Sequence, residues 1–433
     1  MTTAFSLSES GLDSPLQAAS PAATVFSILP FTEAWKPSGF FIKEEPPSTI
    51  FKCQQVNRKC SSHTVHSLVI LGVTPPMLAF AHRVANTGTR IHLVELTQRP
   101  KPFKRPMSIF EPDGITLAWS SAEAGVGTDG GLAAIEAFAE RVRADALLTS
   151  DDFTLAWLGK NRSRFEPRCT VLAPDPTTLE RLWDKSHQTS RAAQCGFDVL
   201  PGWELASPED IAAIPTDGYP VVIRPSYPNS AQPGFKARVL ATANDLCQFY
   251  SSTHWTHPPI VQRFCLGPNY VLHGMRAQTG EFLDWRLFKA YRKYHGFATS
   301  IEPAPLPVHL ESAARQFIQA EGLTGAFHFD LLRAGSDNRF YFLEINCRLG
   351  GTTGKVVQLG YDEPGLLLAA FNLETPKPLR PLRAFPRTTS LSLNLLQAWN
   401  ELRNRRDPLA YPQMPRVKSI FAALKEALFV HKG

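Results

Sequence analysis

Apolar residues come in short blocks from Ser67 onward, and their spacing alternates between that of strands and that of helices. The runs 67–72 and 90–95 are apolar, so both predict strands. Pro75 and Pro76 open a helix between the two runs, since proline is tolerated in a first helical turn. A strand, a helix and a strand in this order predict a parallel sheet.

The same alternation continues to about residue 175. The apolar run 145–149 predicts a further strand, and residues 66–175 are therefore expected to form a small α/β domain. Residues 1–65 are rich in Ser, Pro and Thr without lasting periodicity, which predicts a poorly ordered extension. One predicted helix before this strand carries apolar residues on a single face at Leu132, Ile135, Phe138 and Val142.

After residue 175 strands become more numerous, which predicts an α+β domain at 176–375. It begins with a helix expected over 177–196. Two helical patterns near 392–405 and 417–428 predict a helical tail at 376–433. Apolar runs predict strands at 221–223, 237–240, 260–264, 270–275, 282–288, 326–332 and 340–345.

Composition narrows the class of protein. The net charge of +6 over 433 residues is not concentrated in a stripe, so a nucleic-acid partner is not expected. Seven cysteines, an odd number and mostly in apolar contexts, predict reduced thiols. No apolar run reaches the ~18 residues of a membrane span, and the first residues lack a signal-peptide pattern. We therefore expect a cytoplasmic protein without a membrane partner.

The two most apolar strands carry the strongest chemical signal. Glu344 and Asn346 are two residues apart, so they point to the same face of one strand, and Asp330 comes from the neighbouring strand. Burying carboxylates there is costly unless a cation compensates their charge. Two carboxylates and an amide oxygen are ligands that Mg²⁺ prefers. The alternative is a hairpin with a buried ion pair between Asp330 and Arg348.

This arrangement resembles the ATP-grasp superfamily, including its carbamoyl-phosphate-synthase-like and biotin-carboxylase-like domains. Its members carry an acid on one strand and E-x-N-x-R on the next, as at Asp330 and 344–348 here. The resemblance implies metal ligation by Asp330, Glu344 and Asn346. It implies that Arg348 contacts the acyl phosphate or the substrate carboxylate, and that Gly350 and Gly351 admit the substrate.

Other segments match the same pattern in the same order. Lys185 resembles a helix-borne lysine that reaches the ATP phosphates, and Arg224 stands where the pattern has a phosphate-binding lysine. The lid segment 229–237 keeps Lys236 but only one glycine. The resemblance further implies a basic strand that meets substrate at Arg292. The hinge between the lobes, which binds adenine, is implied at Gln262, Arg263, Phe264 and Asn269.

The resemblance implies a Rossmann-like pre-ATP-grasp domain at 66–175, followed by a two-lobed ATP-grasp fold at 176–375 with a lid at about 216–265. It implies an ATP-dependent ligase that activates a carboxylate as an acyl phosphate and couples it to an amine, releasing ADP and phosphate. ATP and Mg²⁺ are the implied cofactors, with Mn²⁺ as the other candidate ion. The implied catalytic residues are Lys185, Arg224 and Arg348.

Two alternatives stay open. One is an ATP-dependent phosphotransferase on the same fold. The other is a non-catalytic nucleotide-binding relative, which Arg224 and the glycine-poor lid favour. The sequence does not indicate the carboxylate, the amine or the oligomeric state. The segment Gly350–Lys355 is not a P-loop, because Leu349 stands where that motif needs glycine and Val356 follows the lysine.

Overall fold

The first part of the chain is organised around a parallel sheet. The computed structural model describes residues 62–95, 115–119, 127–335, 337, 339–429 and 431–432. The elements of this part are β1 (His63–Thr64), β2 (Ser67–Leu71), α1 (Pro75–Val84), β3 (Arg90–Glu95), β4 (Ile115–Trp119), α2 (Asp129–Val142), β5 (Ala146–Thr149), α3 (Asp152–Lys160), α4 (Arg162–Phe165) and β6 (Thr170–Val171).

Five of these strands pair in the order β4-β3-β2-β5-β6, all parallel. Every residue of β2 is buried, as expected for a parallel strand covered on both faces. Asp151 caps α3 by accepting a hydrogen bond from the amide of Thr154. An α/β arrangement thus follows the predicted pattern, while the Rossmann-like character of 66–175 stays a prediction. Residues 1–61 of the predicted extension lie outside the described residues.

A second group of elements contains the segment predicted as the lid, at about 216–265, and the name lid is kept for it below. Its small sheet has four antiparallel strands. The elements are α5 (Pro176–Arg181), α6 (Lys185–Gln194), β7 (Asp198–Val199), β8 (Gly202–Glu204), β9 (Val221–Arg224), β10 (Ala231–Gln232), β11 (Arg238–Leu240), α7 (Ala243–Ser251), β12 (His254–Trp255) and β13 (Ile260–Arg263).

The helix expected over 177–196 is in fact two helices, α5 and α6. Asp184 is the N-cap of α6, and its carboxylate accepts hydrogen bonds from the amides of Ser186 and His187. An aspartate that accepts hydrogen bonds from the backbone amides two and three residues later caps the start of a helix. Asp184 lies inside the range that was expected to form a single helix. The break makes Lys185 the first residue of α6.

The remaining elements build the large sheet and the C-terminal helices. They are β14 (Asn269–Arg276), β15 (Phe282–Tyr294), β16 (Phe297–Ala304), α8 (Val308–Glu321), β17 (Gly325–Arg333), β18 (Phe340–Asn346), α9 (Thr353–Gln358), α10 (Glu363–Ala370), β19 (Leu373–Glu374), β20 (Thr388–Thr389), α11 (Leu391–Leu402), α12 (Arg416–Phe429) and β21 (His431–Lys432).

The lid sheet has the order β11-β9-β13-β8, and the large sheet has eight strands in the order β21-β20-β16-β15-β14-β17-β18-β7. β1 pairs in parallel with β19, which ties the start of the described chain to the end of α10. No helix in the ranges given above combines the length and the apolar character that crossing a membrane requires.

Buried aromatic rings hold the hairpin β17–β18 in place. Phe329 and Phe342 are fully buried, and both rings contact Phe317 of α8. Along β18 the buried Phe342 and Ile345 lie three residues apart, because a bulge at Leu343 shifts the register with β17, and after the bulge Glu344 and Asn346 are partly exposed. One face of the hairpin therefore packs on the core, and the other presents polar side chains.

Candidate active site

Asp330 and Glu344 face each other across the hairpin. They are direct partners in the antiparallel register of β17 and β18, and His328 is the partner of Asn346. The amide nitrogen of Asn346 donates to Oδ2 of Asp330 at 3.4 Å. The structure thus brings together the three residues predicted as metal ligands.

The two carboxyl groups have unequal electrostatic surroundings. Burial, followed by the charge of Glu344, raises the pKa of Asp330 to about 7. Burial also disfavours the charged form of Glu344. Lys185, Arg224, Lys236 and Arg348 outweigh this effect and hold the pKa of Glu344 below its usual value.

A divalent cation fits this donor set, since its charge would offset both the burial and the repulsion from Glu344 that raise the pKa of Asp330. Two carboxylates and one amide oxygen suit a hard ion such as Mg²⁺ that also takes phosphate oxygens and water. Within the part of the chain that the structure describes, no cluster of three or more His, Cys, Asp or Glu side chains is placed to hold a metal.

Two cations from different elements approach the same carboxylate oxygen. Nζ of Lys185 and Nη1 of Arg224 each lie 3.7 Å from Oε2 of Glu344. Lys185 comes from the start of α6, and its backbone amide donates to the carbonyl of Ser226 at 2.9 Å. Arg224 comes from the end of β9. A patch of positive charge therefore surrounds the carboxylate pair, as a polyphosphate site requires.

Arg224 also bridges the lid and the large sheet. Its side chain is buried, and Nη2 donates to the carbonyl of Leu343 at 2.7 Å. Burial lowers the pKa of the guanidinium, against the opposing charges of Glu344 and Asp330. Nε has no hydrogen-bond partner among the described residues.

Lys236 completes the cationic rim from the lid. Its side chain is exposed, and Nζ lies 4.5 Å from the centroid of the Phe297 ring. Phe297 begins β16 of the large sheet, so this cation–π contact is a second link between the lid and the large sheet.

The hinge residues are largely engaged in the fold. Gln262 is buried on β13. The amides of Arg263 and Phe264 donate to the carbonyls of Pro201 at 3.0 Å and Pro220 at 2.9 Å. Nζ of Lys293 donates to Oδ1 of Asn269 at 2.7 Å. An adenine bound at this hinge would thus need other backbone groups than these two amides.

Arg348 is held by the N-terminal domain. Its Nε donates to Oδ1 of Asp152, the first residue of α3, at 2.7 Å. Burial acts to lower the pKa of Arg348, but the negative charge of Asp152 has the larger effect, so the pKa is raised. The alternative ion pair between Asp330 and Arg348 is therefore wrong. The sequence could not indicate the true partner, which lies 196 positions away.

The turn after Arg348 rests on a buried polar network that the sequence did not reveal. Thr353 Oγ1 accepts from the amide of Gly350 at 3.1 Å and donates to Oε2 of Glu363 at 2.7 Å. Oε1 of Glu363 lies 2.7 Å from Nδ1 of His273. Thr353, Glu363 and His273 are fully buried. This network fixes the backbone where the predicted substrate turn begins.

His328 forms the floor under that turn. Its ring stacks on His273 with centroids 5.3 Å apart, and a Cβ at Gly350 would lie 2.4 Å from its Cε1. Burial holds the pKa of His328 well below its usual range, so the ring is neutral. His328 precedes Asp330 by two residues, hence it lies on the same face of β17. That spacing was the available signal for including His328 in the site.

No protein-family model and no curated protein matches the sequence of this chain. Solved structures do match it. N5-carboxyaminoimidazole synthetase from Staphylococcus aureus aligns over 79 % of this chain and 87 % of that chain, with 14 % identity and a TM-score of 0.55. Biotin carboxylase from Campylobacter jejuni aligns over 72 % of each chain, with 18 % identity and a TM-score of 0.53. L-amino acid ligase from Bacillus licheniformis aligns over 74 % of this chain and 78 % of that chain, with 15 % identity and a TM-score of 0.53.

This chain has the ATP-grasp fold. The resemblance found in the motifs is confirmed at the level of the fold, and at these identities the likeness does not extend to a substrate. In this ATP-grasp fold, the predicted metal ligands, Lys185, Arg224 and Lys236 lie around one cleft between the lid and the large sheet.

Arg292 lies apart from this cleft. Its side chain is only 2 % exposed, and Nη2 donates to Oε1 of Gln397 in α11 at 3.1 Å. Burial lowers its pKa, against the opposing charge of Glu426. The position of Arg292 beneath the C-terminal helices gives no support to its predicted contact with substrate.

Proposed function

We propose that the chain is an ATP-dependent ligase that activates a carboxylate and joins it to an amine. The observation that carries the proposal is the approach of Lys185 and Arg224, from two separate elements, to one oxygen of Glu344 beside Asp330. Four charged groups in a partly buried cleft match the needs of a metal-bound polyphosphate. Mg²⁺ held by Asp330, Glu344 and Asn346 would bridge and neutralise phosphate oxygens.

The protein's own residues have separate roles in this proposal. Lys185, Arg224 and Lys236 bind the ATP phosphates, and the segment from Gln262 to Asn269 lies beside the adenine. The substrate carboxylate oxygen attacks the γ-phosphorus and ADP leaves, so the protein chiefly positions groups and stabilises charge. Structures of related fold support the nucleotide, since the Staphylococcus aureus synthetase was solved in complex with ADP.

The second step takes place at the turn of Gly350 and Gly351. An amine attacks the acyl carbon, the carbon–oxygen bond to phosphate breaks, and the nitrogen loses a proton to give an amide. Arg348 contacts the carboxylate or the acyl phosphate, which requires that it share its charge with Asp152. No residue of the protein forms a covalent bond to substrate in either step.

Trapping the acyl phosphate tests this proposal. The protein is incubated with MgATP, hydroxylamine and a panel of carboxylic and amino acids, and hydroxamate and ADP are measured. Formation of both in equal amounts with at least one acid supports the ligase. A phosphorylated product that is stable to hydroxylamine would indicate a phosphotransferase. ADP release with no acid that yields hydroxamate would contradict acyl activation.

A further inference from the structure

The C-terminal helices α11 and α12 bury polar residues. The two helices pack against each other, and their inner faces carry amide, hydroxyl and carboxylate groups. Helices on a globular surface usually show the reverse pattern, with the apolar face inward. The buried polar residues are Asn394, Gln397, Glu401, Ser419 and Glu426.

Hydrogen bonds among these residues lock the two helices together. Nε2 of Gln397 donates to Oγ of Ser419 at 3.3 Å, and Oγ of Ser419 donates to Oε1 of Glu401 at 3.0 Å. Arg292 of β15 donates to the same Gln397. Arg416 donates through its guanidinium to the carbonyls of Glu401 and Leu402, which satisfies the end of α11. The outer face of the pair is therefore a preformed, rigid surface.

That outer face is apolar. Its six members are each between 38 and 68 % exposed. On each helix they recur at intervals of three, four or seven residues, so they lie along one stripe. They are Leu395, Trp399 and Leu402 on α11, with Val417, Phe421 and Leu428 on α12, and we call them the outer stripe.

We propose that the outer stripe binds the outer stripe of a second copy of this chain. Aromatic side chains such as Trp and Phe present roughly 150–250 Å² each, and Leu and Val present areas at or below the lower end of that range. At the exposures found here, the stripe offers on the order of 600 Å² per chain, most of the ~800 Å² that each partner of a standard interface buries. An apolar patch of this size lies at the upper end of what monomeric proteins expose, where such patches are often interaction sites.

A second copy suits this surface better than a transient partner. Among the described residues, the inner face buries only the small apolar residues Ala398, Ala423 and Ala427 beside its polar groups, so the large apolar side chains of the outer stripe need a cover whenever the chain is folded. A two-helix face packs on its symmetry mate as a four-helix arrangement about a two-fold axis. Arg416, Lys418 and Lys425 are exposed on α12, whereas both acids of the pair, Glu401 and Glu426, are buried. Added salt should therefore strengthen the association by screening these cations.

Sedimentation velocity of the full chain at micromolar concentration tests the proposal. The wild type should sediment at twice 48.0 kDa, and the double variant Leu402→Glu with Phe421→Glu at the monomer mass with unchanged circular dichroism. Val308→Glu, a control at an exposed apolar residue of α8, should remain a dimer.

A milder variant covers the case in which the two glutamates prevent folding. Leu402→Ser with Phe421→Ser should weaken the dimer by roughly tenfold or more in dissociation constant. A monomeric wild type, including one that binds anionic lipid vesicles as a monomer, would overturn the proposal. So would a dimer that the serine pair leaves at wild-type strength, or one that dissociates as salt is added.

Discussion

Nη2 of Arg224 donates a 2.7 Å hydrogen bond to the carbonyl of Leu343, so this side chain joins the lid to the large sheet. Lysine cannot make this bond and reach Glu344 with the same nitrogen, because its charge sits on a single atom. We therefore expect Arg224→Lys to weaken ATP binding, although the pattern that this chain resembles has a lysine at this position. A charge-assisted hydrogen bond contributes about 1.5–3 kcal/mol, or roughly ten- to a hundredfold in affinity.

The dissociation constant of MgATP, measured by calorimetry for wild type, Arg224→Lys and Arg224→Ala, checks this prediction. Arg238→Lys on the adjacent strand β11 is the control, since Arg238 is exposed. Equal affinity for wild type and the Ala variant would remove Arg224 from the nucleotide site.

Gly350 and Gly351 should respond differently to alanine. A Cβ at Gly350 would press on the buried His328 ring, whereas a Cβ at Gly351 would meet no atom of the described residues within 4 Å. Gly350→Ala should therefore lower the free energy of unfolding by about 1–3 kcal/mol, as overpacking does. Gly351→Ala should leave it nearly unchanged. Urea unfolding of the two variants checks this, and equal losses would show that the turn does not rest on His328.

The hydroxyl group of Thr353 should be needed for the stability of the fold. Thr353→Val keeps the shape but removes the group that links Glu363 to the amide of Gly350. The amide of Gly350 and the carboxylate of Glu363 would then stay buried without this hydrogen-bond partner. We expect the free energy of unfolding to fall by about 1–3 kcal/mol. Thr353→Ser retains the hydroxyl and should lose much less. Equal destabilisation of the Val and Ser variants would contradict a role for the hydrogen bonds.

Lys355 should make the stability of the protein depend on pH. Burial lowers its pKa to about 8 from the usual 10.5. Between these values the unfolded chain binds more protons than the folded one, so this group makes the free energy of unfolding rise with pH. Below pH 8 both states are protonated and the full cost of the buried charge remains, at most about 3 kcal/mol.

Lys355→Met should therefore stabilise the protein below pH 8 and remove this part of the rise between pH 8 and 10.5. The difference between variant and wild type, from urea unfolding across this range, cancels the other titrating groups. Lys377→Met, at an exposed lysine after β19, is the control. A constant difference across the range would show that Lys355 titrates normally.

The sequence predicted the parts of the site that depend on local spacing. Asp330, Glu344 and Asn346 come together because two residues of a strand share a face and the hairpin sets the register. Lys185 and Arg224 were placed through the resemblance to the ATP-grasp pattern, in which each belongs to a short local motif. These relations span few residues, so they can be read along the chain.

Contacts between distant parts of the chain could not be predicted. The pairing of Arg348 with Asp152 and of His273 with Glu363 joins residues 196 and 90 positions apart. The polar inner face of α11 and α12 was also hidden, because an apolar stripe on a helix predicts burial and here marks the exposed side. Arg292 lies in a strand rich in basic residues, which implied a contact with substrate. In the structure, the helices α11 and α12 cover it.

The most direct test of the nucleotide site is calorimetric titration of ATP into wild type and Glu344→Gln, each with and without Mg²⁺. Glu344 supplies one of the two carboxylates that a cation needs, so wild type should bind ATP more tightly with Mg²⁺, and the folded Gln variant should lose that dependence. Glu311→Gln, at an exposed glutamate of α8, should behave as wild type. If Glu344→Gln keeps the full magnesium dependence of ATP binding, the cation does not bind between Asp330 and Glu344, and the proposed active site is wrong.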